Sequence, residues 1–272
     1  MRPIRKIKND SKISMACTKK IQKKSKSDPK FTVDENGLPN SMKTIDWLPN
    51  DLIVDILGHV AATSISDFFN AKLSWKLFNR LAKDSDDYMH NKLSLDELSC
   101  HPLDLYLCKE ATSLFMKCLK NQNSEAMYRQ GVIKYLNFHR KKEYGLELLK
   151  KAAHAGHLGA CYFMGIILIC KEDDESGTKK GLQLLGTIKT SAQMRECRDK
   201  LKEIANSLWL TPNRDFLRAK LFECQFPEWK RNSWPHADDS LSCHTCRVNH
   251  EIVCACNIVN GGNSFSCQTC YQ

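Results

Sequence analysis

The stretch GLELLKKAAHAG, from Gly145 to Gly156, decides how this chain folds. Its leucines and alanines recur three and four apart, the spacing of one face of a helix. Small residues break that face at fixed places, where Ala and Gly let a second helix approach closely. The surrounding sequence repeats the pattern. EAMYRQG at 125–131 aligns with GACYFMG at 159–165, with Ala, Tyr and Gly recurring at an offset of 34. YGLELL at 144–149 aligns with KGLQLL at 180–185 at an offset of 36, so an insertion falls between, around Asp173 to Gly177. A period near 34 marks stacked helix pairs. The second copy is degraded, because Gly186-Thr187-Ile188 replaces the Lys-Ala-Ala part. Two units cannot cover their own apolar faces, so helices near Leu103 to Lys120 and Arg195 to Leu210 are expected to cap the stack. The concave face of such a stack would bind a protein substrate, or the stack would serve as a rigid spacer. Lys141, Lys142, Lys150 and Lys151 read as solvated.

Upstream, Leu48-Pro49 opens a helix whose first turn tolerates proline, since the missing N–H has no helical partner there. Leu52, Ile53, Ile56, Leu57 and Val60 form one apolar stripe. Ser64 or Ser66 is placed to cap a second helix, Asp67 to Ala71. Leu73, Trp75, Leu77, Phe78 and Leu81 continue into a third. Trp47, Phe68, Phe69, Trp75 and Phe78 are more large side chains than so small a unit needs, and a surplus of this kind marks a partner site.

Downstream, Cys243-x-x-Cys246 and Cys267-x-x-Cys270 bracket twenty residues, the spacing of a structural zinc site with four thiolates. His250 and Cys256 are alternate ligands. Gly261-Gly262-Asn263 reads as a hairpin turn between the two pairs. The tail, 243–272, is expected to need metal to fold. The other eight of the fourteen cysteines are scattered singly and read as small buried hydrophobes. With no apolar stretch behind the basic N-terminus, a reducing compartment is the default and disulfides are not expected.

Charge adds a boundary. Residues 1–30 hold eleven Lys or Arg against two Asp, so the rest of the chain, with thirty basic and twenty-nine acidic residues, is nearly neutral. The net charge of +10 therefore comes mostly from the first thirty residues, part of a tail, residues 1–42, expected to be disordered. Nucleic-acid binding is not expected of the neutral remainder. Lys19, Lys20, Lys23, Lys24 and Lys26 form a cluster of nuclear-import type, which puts the protein in the nucleus, the cytoplasm or both. No run of apolar residues is long enough to span a membrane. No phosphate-cradling loop or metalloprotease helix is present, and His101, His139, His154 and His157 have no nucleophile or carboxylate placed beside them, so no enzyme is expected. His154 and His157 should be exposed beside the repeat's turn.

The residues Leu48-Pro49, Leu52-Ile53, Ile56-Leu57 and Leu73-Ser74-Trp75-Lys76-Leu77-Phe78 resemble the F-box. Gly145 to Gly156 resembles Sel-like repeats, relatives of tetratricopeptide repeats. The order of parts is similar to that of a family of small plant F-box proteins. Members with such repeats can end in a zinc finger of the MYND type, whose full series of cysteine pairs this tail lacks. The resemblance implies an all-α chain: a disordered tail (1–42), an F-box (43–90), a helical repeat region (91–222), a linker (223–242) and a Cys-rich tail (243–272). It further implies that Leu48, Pro49, Leu52, Ile53, Ile56, Leu57 and Leu73 dock on a Skp-type adaptor and through it on a cullin. The chain would then recruit an unknown protein substrate for ubiquitination. The rival readings are an interaction scaffold outside any ligase and a zinc-containing protein associated with nucleic acid.

Overall fold

The computed structural model describes residues 48–99, 108–137, 142–171, 175–208, 217–224 and 243–261. The expected basic tail, most of the linker, the 261–263 turn beyond Gly261, and Cys267 and Cys270 lie outside them. Every regular element among the described residues is a helix. In order they are α1 (Asn50–Thr63), α2 (Ile65–Ser74), α3 (Lys76–Asp84), α4 (Asp86–Lys92), α5 (Lys109–Lys120), α6 (Ser124–Asn137), α7 (Lys142–His154), α8 (Leu158–Lys171), α9 (Glu175–Leu185), α10 (Ser191–Ser207) and α11 (His244–Val259).

The chain divides into residues 1–53 and 54–272. Within the first, the described residues are 48–53. Pro49 sits just ahead of α1 and its carbonyl accepts the N–H groups of Leu52 and Ile53 at 3.0 and 3.2 Å. Proline thus starts the helix from a position where its missing donor costs nothing.

Within the second, Ser64 caps α2, its hydroxyl accepting the Asp67 N–H at 3.1 Å. The second helix is longer than Asp67 to Ala71, and Leu73 ends it instead of opening the third. The break falls at Trp75, whose φ of −149° and ψ of 135° are extended and terminate α2 before α3 begins. After α4, residues 93–98 return along the module. The Ser94 N–H donates to the Ala61 carbonyl at 2.7 Å, and the Glu97 carboxylate accepts from the hydroxyls of Ser64 and Ser66. The Ser66 hydroxyl, with Ser64 and two backbone donors, outweighs partial burial and holds Glu97 below the usual carboxylate range.

Two buried side chains join this module to the repeats. Asn123 donates to the carbonyls of His90, Asn91 and Leu93 at 2.8 to 3.2 Å. Arg129 donates to the carbonyls of Leu95 and Leu98, both at 2.9 Å, while Glu125 neutralises it at 2.6 Å. These bonds satisfy backbone groups that would otherwise be buried without partners.

The repeats are two antiparallel pairs, α6 with α7 and α8 with α9, with α7 also packed on α8. Each pair crosses at a glycine couple. A Cβ on Gly145 would stand 2.6 Å from the Tyr135 backbone nitrogen and 2.9 Å from the Gly131 carbonyl oxygen; one on Gly181 would stand 2.6 Å from the Gly165 carbonyl oxygen. The offsets of 34 and 36 legible in the sequence are these two crossings. The turns repeat as well. Gly156 has φ +84°, and Gln122, thirty-four residues earlier, takes φ +57°. The next residue caps the following helix in both cases: Asn123 Oδ1 accepts the Ala126 N–H at 3.0 Å, and His157 Nδ1 accepts the Ala160 N–H at 3.1 Å.

The flanking helices expected to cap the stack pack on it, α5 against α6. α10 packs on α6 and α8, starting at a capping box in which Thr190 and Gln193 bond reciprocally. The last helix, α11, then covers α10 and α8. Val248, Ile252, Ala255, Cys256 and Val259 belong to the same core as Tyr162, Phe163 and Ile166. The segment expected to be a free-standing tail is therefore, over 244–259, part of the repeat body. Its polar Glu251 is buried but paired. Tyr162 Oη donates to one carboxylate oxygen at 3.0 Å and Arg198 binds the other at 2.7 Å. Pairing of this kind lets a helix with charged residues enter a core.

Candidate functional site

The residues expected to dock on a partner separate by exposure. In 48–53, Leu48 is half-buried, Pro49 is exposed and Leu52 is 48% exposed, whereas Ile53 is 1% exposed. In the second unit Ile56 is 47% and Leu73 is 73% exposed, whereas Leu57 is 1% exposed. Ile53 and Leu57 have no surface left to give a partner; they anchor α1 in its own fold. Phe69 is exposed as well, beside Phe68 at 5.6 Å, with the Lys72 ammonium 5.5 Å over its ring. Exposed Ile56, Leu73 and Phe69 are side chains that a soluble helix buries when it can.

The cysteines are brought together in an unexpected set. Cys224, Cys243 and Cys246 place their sulfur atoms within 4.8 Å of one another. Cys224 Sγ lies 3.6 Å from Cys243 Sγ and 3.5 Å from Cys246 Sγ. Zn–S bonds of about 2.3 Å at tetrahedral angles separate two sulfurs by about 3.8 Å, so the three stand near the spacing of three corners of one zinc site. Cys246 is fully buried and Cys243 occupies the N-cap position of α11. The Cys246 backbone N–H at that helix start and the Cys224 thiol both bond Cys243 and lower its pKa, which favours the thiolate that ligates metal. The alternates lie elsewhere: Cys256 Sγ is 3.9 Å from Cys170 Sγ, and His250 Nε2 is 3.5 Å from Cys254 Sγ. Cys224, expected to be a small buried hydrophobe, is instead only half-buried and faces two other thiols. Eighteen residues separate it from Cys243, and no motif spacing marks it.

A register explains why these thiols meet. Residues 217–224 run extended along α11 in the opposite direction, pinned by two asparagine amides. Asn260 accepts the Leu217 N–H at 3.3 Å and donates to its carbonyl at 2.9 Å. Asn249 does the same for Phe222, both bonds at 2.9 Å. Eleven helical residues and five extended ones each span about 16 Å, so both clamps close without strain. Two further extended residues add about 6.6 Å, or four residues of helix, which carries Cys224 to the level of Thr245, between Cys243 and Cys246.

A second, largely buried polar group lies in the repeats, its His157 and Lys200 members lining a surface cavity. Glu125 bonds Arg129, His157 and Lys200 at 2.6, 2.6 and 3.7 Å. Burial penalises its charge, but the His157 hydrogen bond and the nearby cations outweigh that and hold its pKa at about 2. His157 is not the exposed turn residue expected; its ring stacks on Tyr128 at 4.6 Å and caps α8. His154 is exposed. Among the described residues, no helix is long and apolar enough to cross a membrane.

Known proteins share parts of this arrangement. A family model described as plant tetratrico peptide repeats matches residues 99–206, which span the stack from α5 to α10. Two Arabidopsis thaliana proteins, both named as F-box proteins, are similar to part of the chain. One is 30% identical over 175 residues, 62% of this chain and 56% of its own length. The other is 29% identical over 166 residues, 60% of this chain and 98% of its own length. The chain thus spans about half the length of the first and nearly all of the second. No solved structure matches. The glycine crossings and turns recurring at 34 and 36 residues agree with the repeat match, so the chain carries tetratricopeptide-type helical repeats and is similar to proteins named as plant F-box proteins.

Proposed function

We propose that this chain is a non-catalytic adaptor: the substrate-recruiting F-box subunit of a Skp-cullin-F-box ubiquitin ligase. The observation that carries the reading is the exposure of Ile56 and Leu73, large aliphatic side chains at F-box motif positions, in a relative of F-box proteins. Apolar surface of this kind is removed from water by a partner. Leu48, Pro49 and Leu52 continue the docking set, and Ile53 and Leu57 hold the helix that presents it. The repeat stack then offers the protein substrate a rigid binding body. One structural zinc ion, held by cysteines of the C-terminal part, stiffens that body. The protein works in the nucleus or cytoplasm, with the Lys19–Lys26 cluster as an import signal.

Co-purification tests the docking step. Wild-type protein should carry a Skp-type adaptor and a cullin with it. Ile56→Asp and Leu73→Asp should each cut adaptor recovery by roughly tenfold or more, because a carboxylate would be desolvated unpaired in an apolar interface. Both positions are exposed, so the helical circular dichroism should be unchanged. A wild-type protein that brings down no adaptor overturns the reading.

A further inference from the structure

We propose that the zinc ligands are Cys224, Cys243 and Cys246, and that the ion staples residues 217–224 to the start of α11. This deepens the structural-zinc reading above and rests on it. It differs from a pair of C-x-x-C knuckles closing on one another, because one sulfur comes from the strand that leaves the repeats. Three observations support it. The two S–S separations from Cys224, 3.6 and 3.5 Å, are near the roughly 3.8 Å of thiolates sharing a tetrahedral ion and far from the roughly 2.0 Å of a disulfide. The Asn249 and Asn260 clamps fix the register independently of any metal, so the site is pre-aligned. Cys243 and Cys246 lie at the start of α11, where the positive end of the helix stabilises negative sulfur. On ligation each thiol releases its proton to solvent and no redox change is involved.

The staple has a structural consequence. α11 covers the α8–α10 side of the repeat core, and the extended strand lies along α11. The asparagine clamps hold that strand at Leu217 and Phe222, and the ion holds it at Cys224. The metal then rigidifies the end of the stack.

Thiol alkylation of the full chain, mapped residue by residue with and without a zinc chelator, tests the set without a mutation. Cys224, Cys243 and Cys246 should be protected together in the zinc-loaded protein and become reactive together on chelation. Cys254 and Cys256 should keep the same reactivity in both conditions. In parallel, Cys224→Ser should lower zinc content roughly tenfold from about one ion per chain, whereas Cys256→Ser should retain it. Full zinc retention in Cys224→Ser, or alkylation of Cys224 indifferent to the chelator, overturns this ligand set while leaving a zinc ion in the protein. Zinc-free protein from chelator-free purification overturns both the ligand set and the zinc reading. Neither result bears on adaptor recovery, which depends on Ile56 and Leu73.

Discussion

Gln122 shows what a repeat demands of a single residue. The turn before α6 needs a left-handed backbone, as does the turn before α8, where glycine supplies it. A side chain in that region costs about 1 kcal/mol. The position is retained because the next residue, Asn123, must be delivered both to the N-terminus of α6 and to the three carbonyls of residues 90–93. Replacing Gln122 by glycine should therefore raise stability by about 0.5 kcal/mol, the strain relieved exceeding the added freedom of the unfolded chain. Urea unfolding checks this, and a lower midpoint in the variant would contradict it. Asn249 and Asn260 act by a related principle. Each amide matches both the donor and the acceptor of one extended residue, a fit that an acceptor-only carboxylate does not provide.

At the scale of elements, close approach decides the geometry. α6 and α7 cross where Gly131 meets Gly145, and α8 and α9 where Gly165 meets Gly181. Gly145→Ala should destabilise by about 1–3 kcal/mol, because its Cβ would meet backbone atoms that cannot step aside. That loss exceeds the gain of about 1 kcal/mol that alanine brings to a helix interior. Gly186→Ala is the control. The nearest atoms to its Cβ are 3.3 Å away, at the end of α9, and a shift in midpoint below a third of that of Gly145→Ala is expected. Equal effects at the two sites would show that chain flexibility, not helix contact, explains the glycines. The degraded end of the second repeat follows the same logic. α9 stops at Leu185, and buried Ile188 fills the space that Ala152 takes in the first copy.

Across the whole molecule, Glu125 joins parts far apart in sequence: Arg129 of its own helix, His157 of the next repeat and Lys200 of α10. Its carboxyl is held at about 2, below the ordinary value of 4.5. A depressed carboxyl contributes stability that is present above the unfolded pKa and is lost as pH falls through the folded one. The contribution is about 3 kcal/mol, complete above roughly pH 5 and withdrawn between there and pH 2. Glu125→Gln should destabilise by at least that much at pH 7, since Arg129 stays buried without its counter-charge. The gap between variant and wild type should narrow on acidification. A gap that stays constant from pH 7 to pH 3 would show that the loss comes from packing.

Local regularities in the sequence were enough to establish several features. Helical spacing, the recurrence of Ala, Tyr and Gly at 34 residues and the opening Leu48-Pro49 are written within one element or between copies of one element. They determine an all-helical chain with paired, glycine-crossed helices, since backbone hydrogen bonding and helix–helix approach depend on near neighbours. The tertiary structure decided which faces meet. It buried Ile53 and Leu57 and left Leu52, Ile56 and Leu73 outside, although all five read as one docking set. It took His157 from an exposed turn into a cap and a hydrogen bond to Glu125. It drew 244–259 into the core, where Arg198 and Tyr162 compensate Glu251. It brought Cys224 to Cys243 and Cys246 through a register set by two asparagines. These outcomes depend on distances between elements that are remote in the chain, and no short-range spacing encodes such distances.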